Sequence, residues 1–506
     1  MQRKQLTLVI VSLLVVVLSV SLAYFTTQII GKGKNLDVSS TNLQIVFTDS
    51  DGAISGSNIE PGWSDTKTFT VENNSKSEYK YNIVIKDLLN TFVTEGYLQY
   101  KITSTNNGYN MTEFKDIPKS SAPKDTILAY SVVIPNGVTQ SYTIEFKYAN
   151  DESVDQSDDM GKKLSGTLFI TEGTEEPTFY STLLSDRGIA TINRTTFNSA
   201  FDSTNQVLYT AKEDNKTVYY FAGNVTTNWV KFGKNASNQD LYWRIIRTNS
   251  DGGVRLLYHG TSTTATDAYI GTSAFNSSYD NIAFVSYMYG SLGSIPNART
   301  NQINSSTIKG VIDTWYAKNM TSYTKYLSAT AVYCNDRSTS DNTYFGAYTR
   351  LNTNKTPSYD CAATEDKFTV DSSAGNGKLT HPIALMTADE IRYAGGIYGN
   401  YNANAWYFRN AKEGTLTTTS SSSTDASYSS IGSQWWLLLS PSNWNGSDAR
   451  VFYVGGSSYP GGLVNYRVNN PGGVRPAVSL KSCVKTSGGD GSVNAPYTIE
   501  ESTSGC

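Results

Sequence analysis

The sequence predicts three parts in order: an N-terminal transmembrane helix, an antiparallel all-β sandwich, and a larger mixed α+β domain. Three observations carry this. Leu6 to Phe25 is an uncharged, mainly apolar run of about 20 residues, long enough as a helix to span the hydrocarbon core of a bilayer. From Leu36 to about Gly173, apolar residues recur with period two between turn residues. Beyond Pro177, period-two runs alternate with stripes at helical spacing.

At the N-terminus, Arg3 and Lys4 make residues 1–5 a short basic tail, assigned to the cytoplasm, before an anchor at residues 6–28. The same segment also reads as a secretory signal, with Ser21 and Ala23 at the small-residue positions before Tyr24. Lys32 and Lys34 on the far side keep the charge asymmetry small. Either reading places the bulk of the chain outside the cytoplasm. The expected location is the cell membrane, single-pass with the C-terminal part extracellular, or secretion if the chain is cleaved after Ala23.

Composition narrows the function. The 506 residues carry 41 Lys plus Arg against 44 Asp plus Glu, net −3, without the basic excess of a nucleic-acid binder. Only two histidines occur, His259 and His381, far apart and with no HExxH, so metallohydrolase and Ser-His-Asp chemistry have little material. Tyrosine, at 35 against 18 Phe, joins Ser, Asn and Gly in the vocabulary of adaptable contact surfaces.

The four cysteines, Cys334, Cys361, Cys483 and Cys506, show no CxxC and no neighbouring His. Metal ligation would want closer spacing, so disulfides are expected. Three pairings are possible, and locality selects Cys334 with Cys361 and Cys483 with Cys506. Four reduced thiols in a cytosolic protein are the alternative.

Residues 36–173 read as the sandwich. Seven strands are expected: Leu43 to Phe47, Lys67 to Val71, Tyr81 to Lys86, Tyr97 to Ser104, Ile127 to Ile134, Ser141 to Tyr148 and Leu164 to Thr171. Glu60-Pro61-Gly62, Asn73-Asn74 and Pro135-Asn136-Gly137 supply turns. The acidic run Asp151 to Asp159 lacks an EF-hand pattern and is read as a solvated loop rather than a calcium site. Ala23-Tyr24-Phe25-Thr26, Pro61-Gly62-Trp63-Ser64 before Thr-Phe-Thr-Val, and Gly161 to Gly166 resemble the camelysin and TasA type of biofilm-matrix β-domains. That resemblance covers about a third of the chain. It implies an Ig-like or jelly-roll unit, with strand-exchange polymerisation in some members.

The polar stretch Glu172-Gly173-Thr174-Glu175-Glu176-Pro177 opens a linker placed at 174–190, and the second domain is placed at 191–485. Val218 to Phe221, Leu241 to Thr248 and Val254 to Tyr258 are expected strands, the last two forming a hairpin around Asn249 to Gly253. Ser306 or Thr307 can cap a helix with Ile308, Val311, Ile312, Trp315 and Tyr316 on its apolar side. Thr387 and Glu390 make a capping box before Ile391 and Ala394, and Gly395-Gly396 stops that helix. Thr417 to Ser430 is a Ser/Thr-rich surface loop, and 486–506 a disulfide-closed tail.

Trp435-Trp436-Leu437-Leu438-Leu439-Ser440-Pro441 and Gly473-Val474-Arg475-Pro476 resemble the closing signature of bacterial surface domains with the C-type-lectin-like fold of formylglycine-generating enzymes. Three residues, not two, separate Trp436 from Ser440 here. Leu385, Thr387, Glu390, Tyr393 and Ala394 match that superfamily's helix motif, with Met386 in place of its Pro. The resemblance runs from about Thr178 to Leu480 and implies that the α+β domain is C-type-lectin-like. It also implies retroelement-driven variation of Trp444 to Asn470 as a weaker reading.

The chemistry left is binding. The formylglycine enzymes hold copper with a cysteine pair near the end of the fold, and no cysteine lies between Cys361 and Cys483. No catalytic residues, metal or cofactor are therefore expected, and Asp389 with Glu390 reads as capping and surface charge rather than a carboxylate pair. The sugar-binding Glu-Pro-Asn or Gln-Pro-Asp of animal lectins is also absent. The candidate ligand residues between the two landmarks are Trp444, Asn445, Asp448, Arg450, Tyr453, Tyr459, Asn465, Tyr466 and Arg467: rings that stack, amides that donate and accept, and guanidinium forks. About half are expected to be exposed. Trp435 and Trp436 read as core, and Arg475 as making an ion pair or backbone contacts. The expected function is a membrane-tethered bacterial surface protein binding an extracellular glycan or protein through a lectin-like head. The alternative is a biofilm-matrix or fibre subunit whose sandwich polymerises.

Overall fold

The computed structural model of the chain describes strands at 36–37 and 43–47, and residues 52–56, 59–265, 268–339, 341–399, 405–409, 435–456, 461–502 and 505–506. The expected tail 1–5, the apolar segment 6–28, the Ser/Thr-rich stretch from Thr417 to Ser430, and Tyr459 lie outside the described residues. The chain divides into two compact units, Met1–Glu176 and Pro177–Cys506.

In the first unit, every expected strand forms. The strands are β1 Leu36–Asp37, β2 Leu43–Phe47, β3 Ala53–Gly56, β4 Ser64–Asn73, β5 Tyr79–Asn90, β6 Leu98–Ser104, β7 Lys115–Asp116, β8 Ser120–Ile134, β9 Thr139–Tyr148 and β10 Leu164–Glu172. They build a six-stranded sheet, β1-β2-β4-β9-β6-β7, and a four-stranded one, β3-β10-β5-β8. Alternation sends Phe69, Val71, Ile144 and Phe146 from the first sheet and Ile83, Ile85, Leu168 and Ile170 from the second into one core, as a β-sandwich requires.

Several of the tyrosines belong to this interior rather than to a contact surface. Tyr81 Oη donates to Gln140 Oε1 at 2.7 Å and meets Tyr142 Oη at 2.6 Å, so each buried hydroxyl is satisfied across the sheets. Tyr148 Oη donates to Asp159 Oδ2 at 2.8 Å, and Asp159 also accepts from the Val93 and Thr94 amides. Asp159 in the acidic run is thus a buried clamp for the 93–94 backbone.

The second unit corrects the expected fold class. Its described residues are mostly β-sheet with few, short helices, the longest being Thr307–Asn319 at 13 residues. No helix among the described residues is long and apolar enough to cross a membrane. Among the described residues, the expected α+β C-type-lectin-like part of the series gives way to a predominantly β architecture, so that sheet dominates both units. The physical reason is that helical stripes here last two to four turns, whereas long-range strand pairing organises the core.

The main sheet uses β11 Tyr209–Glu213, β12 Lys216–Tyr220, β13 Trp229–Lys234, β14 Asp240–Thr248 and β15 Val254–Gly260. Pro476–Leu480 pairs with β15, Ile383–Leu385 pairs with Pro476–Leu480, and Tyr497–Ile499 runs parallel to β13. The C-terminal stretch is therefore part of the main sheet, and helix Phe179–Arg187 in the linker region buries Phe179 and Leu183 in the same core. A second sheet orders Thr272–Ser273, Gly472–Gly473, Trp436–Trp444, Ala449–Val454 and Leu463–Arg467.

Local signals hold. Ser306 caps Thr307–Asn319 by accepting from the Lys309 amide, and Ile308, Ile312 and Tyr316 are buried. Thr387 and Glu390 form both halves of the capping box of Ala388–Ala394. Cys334 pairs with Cys361 and Cys483 with Cys506, each with Cα atoms 5.7 Å apart.

Candidate functional site

Two polar constellations stand out in the second unit. The first is built around the capped helix. Glu390 Oε1 accepts from Arg247 Nε at 3.0 Å and Arg255 Nη1 at 2.8 Å, while Oε2 accepts from the Thr387 amide at 2.9 Å. Arg247 Nη2 donates to Glu213 Oε1 at 2.7 Å. Beside it, Arg350 forks onto Asp389 at 3.0 and 2.8 Å and reaches Asp336 Oδ2 at 2.6 Å. Burial pushes the Glu390 carboxyl up, but Arg255 and Arg247 outweigh it and hold it below the usual range. The same balance lowers Glu213, through Arg247, and Asp336, through Arg350.

Asp389 and Glu390 are thus buried and ion-paired, not the surface charges expected. The cavity these groups line, with Cys334, Tyr359 and Ser440, is about 20 Å³. That holds about one water and excludes a sugar ring. The constellation is a structural clamp joining β11, β14 and β15 to the helix.

The second constellation is the hairpin of Ala449–Val454 and Leu463–Arg467, where the sequence places its ligand residues. The register Arg450↔Arg467, Val451↔Tyr466, Phe452↔Asn465, Tyr453↔Val464 splits them by the period of two. Arg450, Asn465 and Arg467 share one face; Tyr453 and Tyr466 share the other.

On the first face, Asp448 Oδ2 accepts from Arg467 Nε at 2.9 Å and Arg450 Nη2 at 3.3 Å. Asp448 is itself buried, so it positions the arginines rather than meeting a ligand. Arg467, 44% exposed, lies over the Tyr279 ring at 4.8 Å. Asn465 Nδ2 donates to Tyr398 Oη at 2.8 Å. Tyr398 packs against Tyr348 at 5.4 Å, and Tyr348 stacks on Tyr344 at 4.3 Å, leaving Tyr344 41% exposed. Burial, with the neighbouring Tyr398 and Tyr344 hydroxyls, pushes Tyr348 up to about 12, so it stays a neutral donor at pH 7. Stacked rings, an amide and a forked cation converge here.

On the second face, Trp435, Tyr453 and Tyr466 form a ring cluster with centroids 4.8 to 6.2 Å apart. Gly472 seats it, since a Cβ there would lie 2.6 Å from the Trp435 ring. Tyr466 is exposed, but Tyr453 is buried. Asn445 is exposed and holds a turn by accepting from the Ser447 and Asp448 amides. Trp444, half-buried, is tied by its backbone to Thr343.

Among the residues the sequence singled out, Asp448, Arg450, Asn465 and Arg467 come together, and Tyr453 with Tyr466 is turned away from them. Tyr279, Tyr344, Tyr348 and Tyr398 were missed. The i, i+4 spacing of Tyr344 and Tyr348 was the available signal, but nothing local linked it to a hairpin a hundred residues later.

No family model and no curated protein matches the chain. A search of solved structures returns the sporulation control protein Spo0M from Bacillus subtilis, at 10% identity, covering 41% of this chain and 76% of that one, with a TM-score of 0.10. A likeness at that score carries no structural or functional argument.

Proposed function

We propose that the chain is a binding protein working outside the reducing cytoplasm, presenting the Tyr344, Tyr348, Tyr398, Asn465 and Arg467 face to a glycan or protein ligand. The convergence of stacked tyrosine rings with the Asn465 amide and the Asp448-positioned guanidiniums carries this reading, because planar rings and forked donors are what such ligands need. The two disulfides support an oxidising compartment. The closed ion clamp supplies no competing site of useful size.

Glycan-array and pull-down binding by the full chain test the proposal. Tyr344→Ala, Asn465→Ala and Arg467→Ala combined should weaken a detected interaction at least roughly tenfold, about 1.4 kcal/mol or more. Unchanged affinity from a folded triple variant would sink the assignment of this face.

A second reading is a fibre or matrix subunit. It is favoured by β8, 15 residues long, whose outer edge has no neighbouring strand among the described residues. An open edge is a template for strand addition. A full chain that sediments as a monomer across a wide concentration range would exclude it.

A further inference from the structure

Arg244 on β14, His259 on β15 and Arg475 ahead of strand Pro476–Leu480 share one face of the main sheet. His259 is the extra residue of a bulge between the pairs Trp243↔Tyr258 and Tyr242↔Gly260, and contacts rather than alternation place it: the Arg244 guanidinium and the His259 ring both lie against Trp229, at 4.0 and 4.5 Å, and Arg475 bonds the Tyr258 carbonyl beside it. All three side chains are buried, Arg244 at 1% exposure and the others at 0%.

Among the described residues, no carboxylate lies within ion-pair distance of either arginine. Arg244 donates to Asn228 Oδ1 at 2.7 Å and to the Val225 and Arg409 carbonyls at 2.8 and 3.1 Å. Arg475 donates to the Tyr258 carbonyl at 3.2 and 3.1 Å and to the Tyr407 carbonyl at 2.6 Å. Their planes face Trp229 at 4.0 Å and Trp436 at 4.9 Å. Each guanidinium has five N–H groups, of which these bonds use three.

Carbonyls and rings satisfy direction but bring no net negative charge. Two like charges, Arg244 and Arg475, therefore remain in a water-poor interior. A guanidinium cannot shed its proton to escape. Three further polar atoms are orphaned at the same place: Trp436 Nε1, and Nδ1 and Nε2 of His259, whose ring sits 4.5 Å from Trp229. Natural interiors rarely leave such groups unmatched, and their concentration around an uncompensated positive charge points to a missing acceptor.

We propose that Arg244, Arg475, His259 and the Trp436 indole N–H hold a buried monovalent inorganic anion of halide size. Full burial of all four donors favours a small, singly charged ion, cheaper to desolvate, over phosphate or an organic acid. Burial, with Arg475 and Arg244 beside it, holds His259 neutral; the Thr263 backbone pulls the other way without meeting hydrogen-bond geometry. The neutral ring still offers one N–H to the ion. The site is independent of the exposed tyrosine face.

The test is thermal unfolding of the full chain in sodium chloride against sodium gluconate at equal ionic strength, with anomalous diffraction from crystals grown in bromide. The Tm should rise with the logarithm of chloride concentration and not with gluconate. A bromide peak should lie within hydrogen-bond reach of Arg244 and Arg475. Trp436→Phe keeps an aromatic ring, though a smaller one, and removes the indole N–H, so it should raise the half-saturating chloride concentration about tenfold. A merely structural loss would lower the Tm equally in both salts. Equal Tm in chloride and gluconate, or bromide only elsewhere, would overturn the proposal.

Discussion

Replacing Glu390 with Ala is expected to destabilise the Pro177–Cys506 unit by about 3–5 kcal/mol, the cost of stranding a buried charge by removing its partner. Glu390 is 1% exposed and is bonded by Arg247, Arg255 and the Thr387 amide. Its loss leaves Arg255 without an ion pair among the described residues, and Arg247 with Glu213 alone. It also removes one half of the capping box, so the helix entry loosens with the clamp. Glu390→Gln should cost less, because the amide oxygen still accepts from Arg255. Urea denaturation would read the change as a lower midpoint at unchanged slope, and a loss below about 1 kcal/mol would contradict the clamp's role.

The same cluster sets an acid limit. The carboxyls of Glu390, Glu213 and Asp336 lie below their ordinary values in the folded chain. The unfolded chain then binds protons more readily, so stability rises with pH through this range. Their contribution is fully present above the ordinary carboxylate values of about 4 to 4.5, and is lost as pH falls through the depressed folded ones. Tm measured from pH 7 downward should fall chiefly below about pH 5, and less steeply in Glu390→Gln.

Removing the Cys334–Cys361 cross-link by paired Ser substitution should cost about 3 kcal/mol, from the entropy that a loop of this size regains in the unfolded chain. The bond joins residues 27 apart, and Cys334 lines the same small cavity as Arg247, Arg255 and Glu390. Asp336, two residues on, pairs with Arg350. Because these groups share one network, the disulfide and Glu390 losses should not add, and a double-mutant cycle should show coupling above about 0.5 kcal/mol. Strict additivity would mean that the bond acts only on the unfolded chain.

Legibility differed by element. Thr139–Tyr148 was readable because alternation over a half-buried strand is a local property. The Thr387 and Glu390 box was readable for the same reason, since both partners lie within one turn. The second role of Glu390 was not: its partners Arg247 and Arg255 lie 143 and 135 residues away. Reading it as surface charge failed because a carboxylate's burial depends on distant cations that no local pattern announces. The tyrosine excess was likewise ambiguous. Tyr81 and Tyr344 look alike in sequence, yet one closes a buried hydrogen-bond chain and the other is exposed.

The sequence by itself determined the seven longer strands of the sandwich, the caps of the Thr307–Asn319 and Ala388–Ala394 helices and the local pairing of the cysteines. Each rests on residues near one another along the chain, where period, capping chemistry and loop length act directly. Only the tertiary structure decided that the second unit is mostly β, that the candidate ligand residues divide between two faces of a hairpin, and that Tyr344, Tyr348 and Tyr398 join one of them. Those outcomes depend on strand pairing and charge compensation between distant segments, where register and burial exist only after the chain has folded.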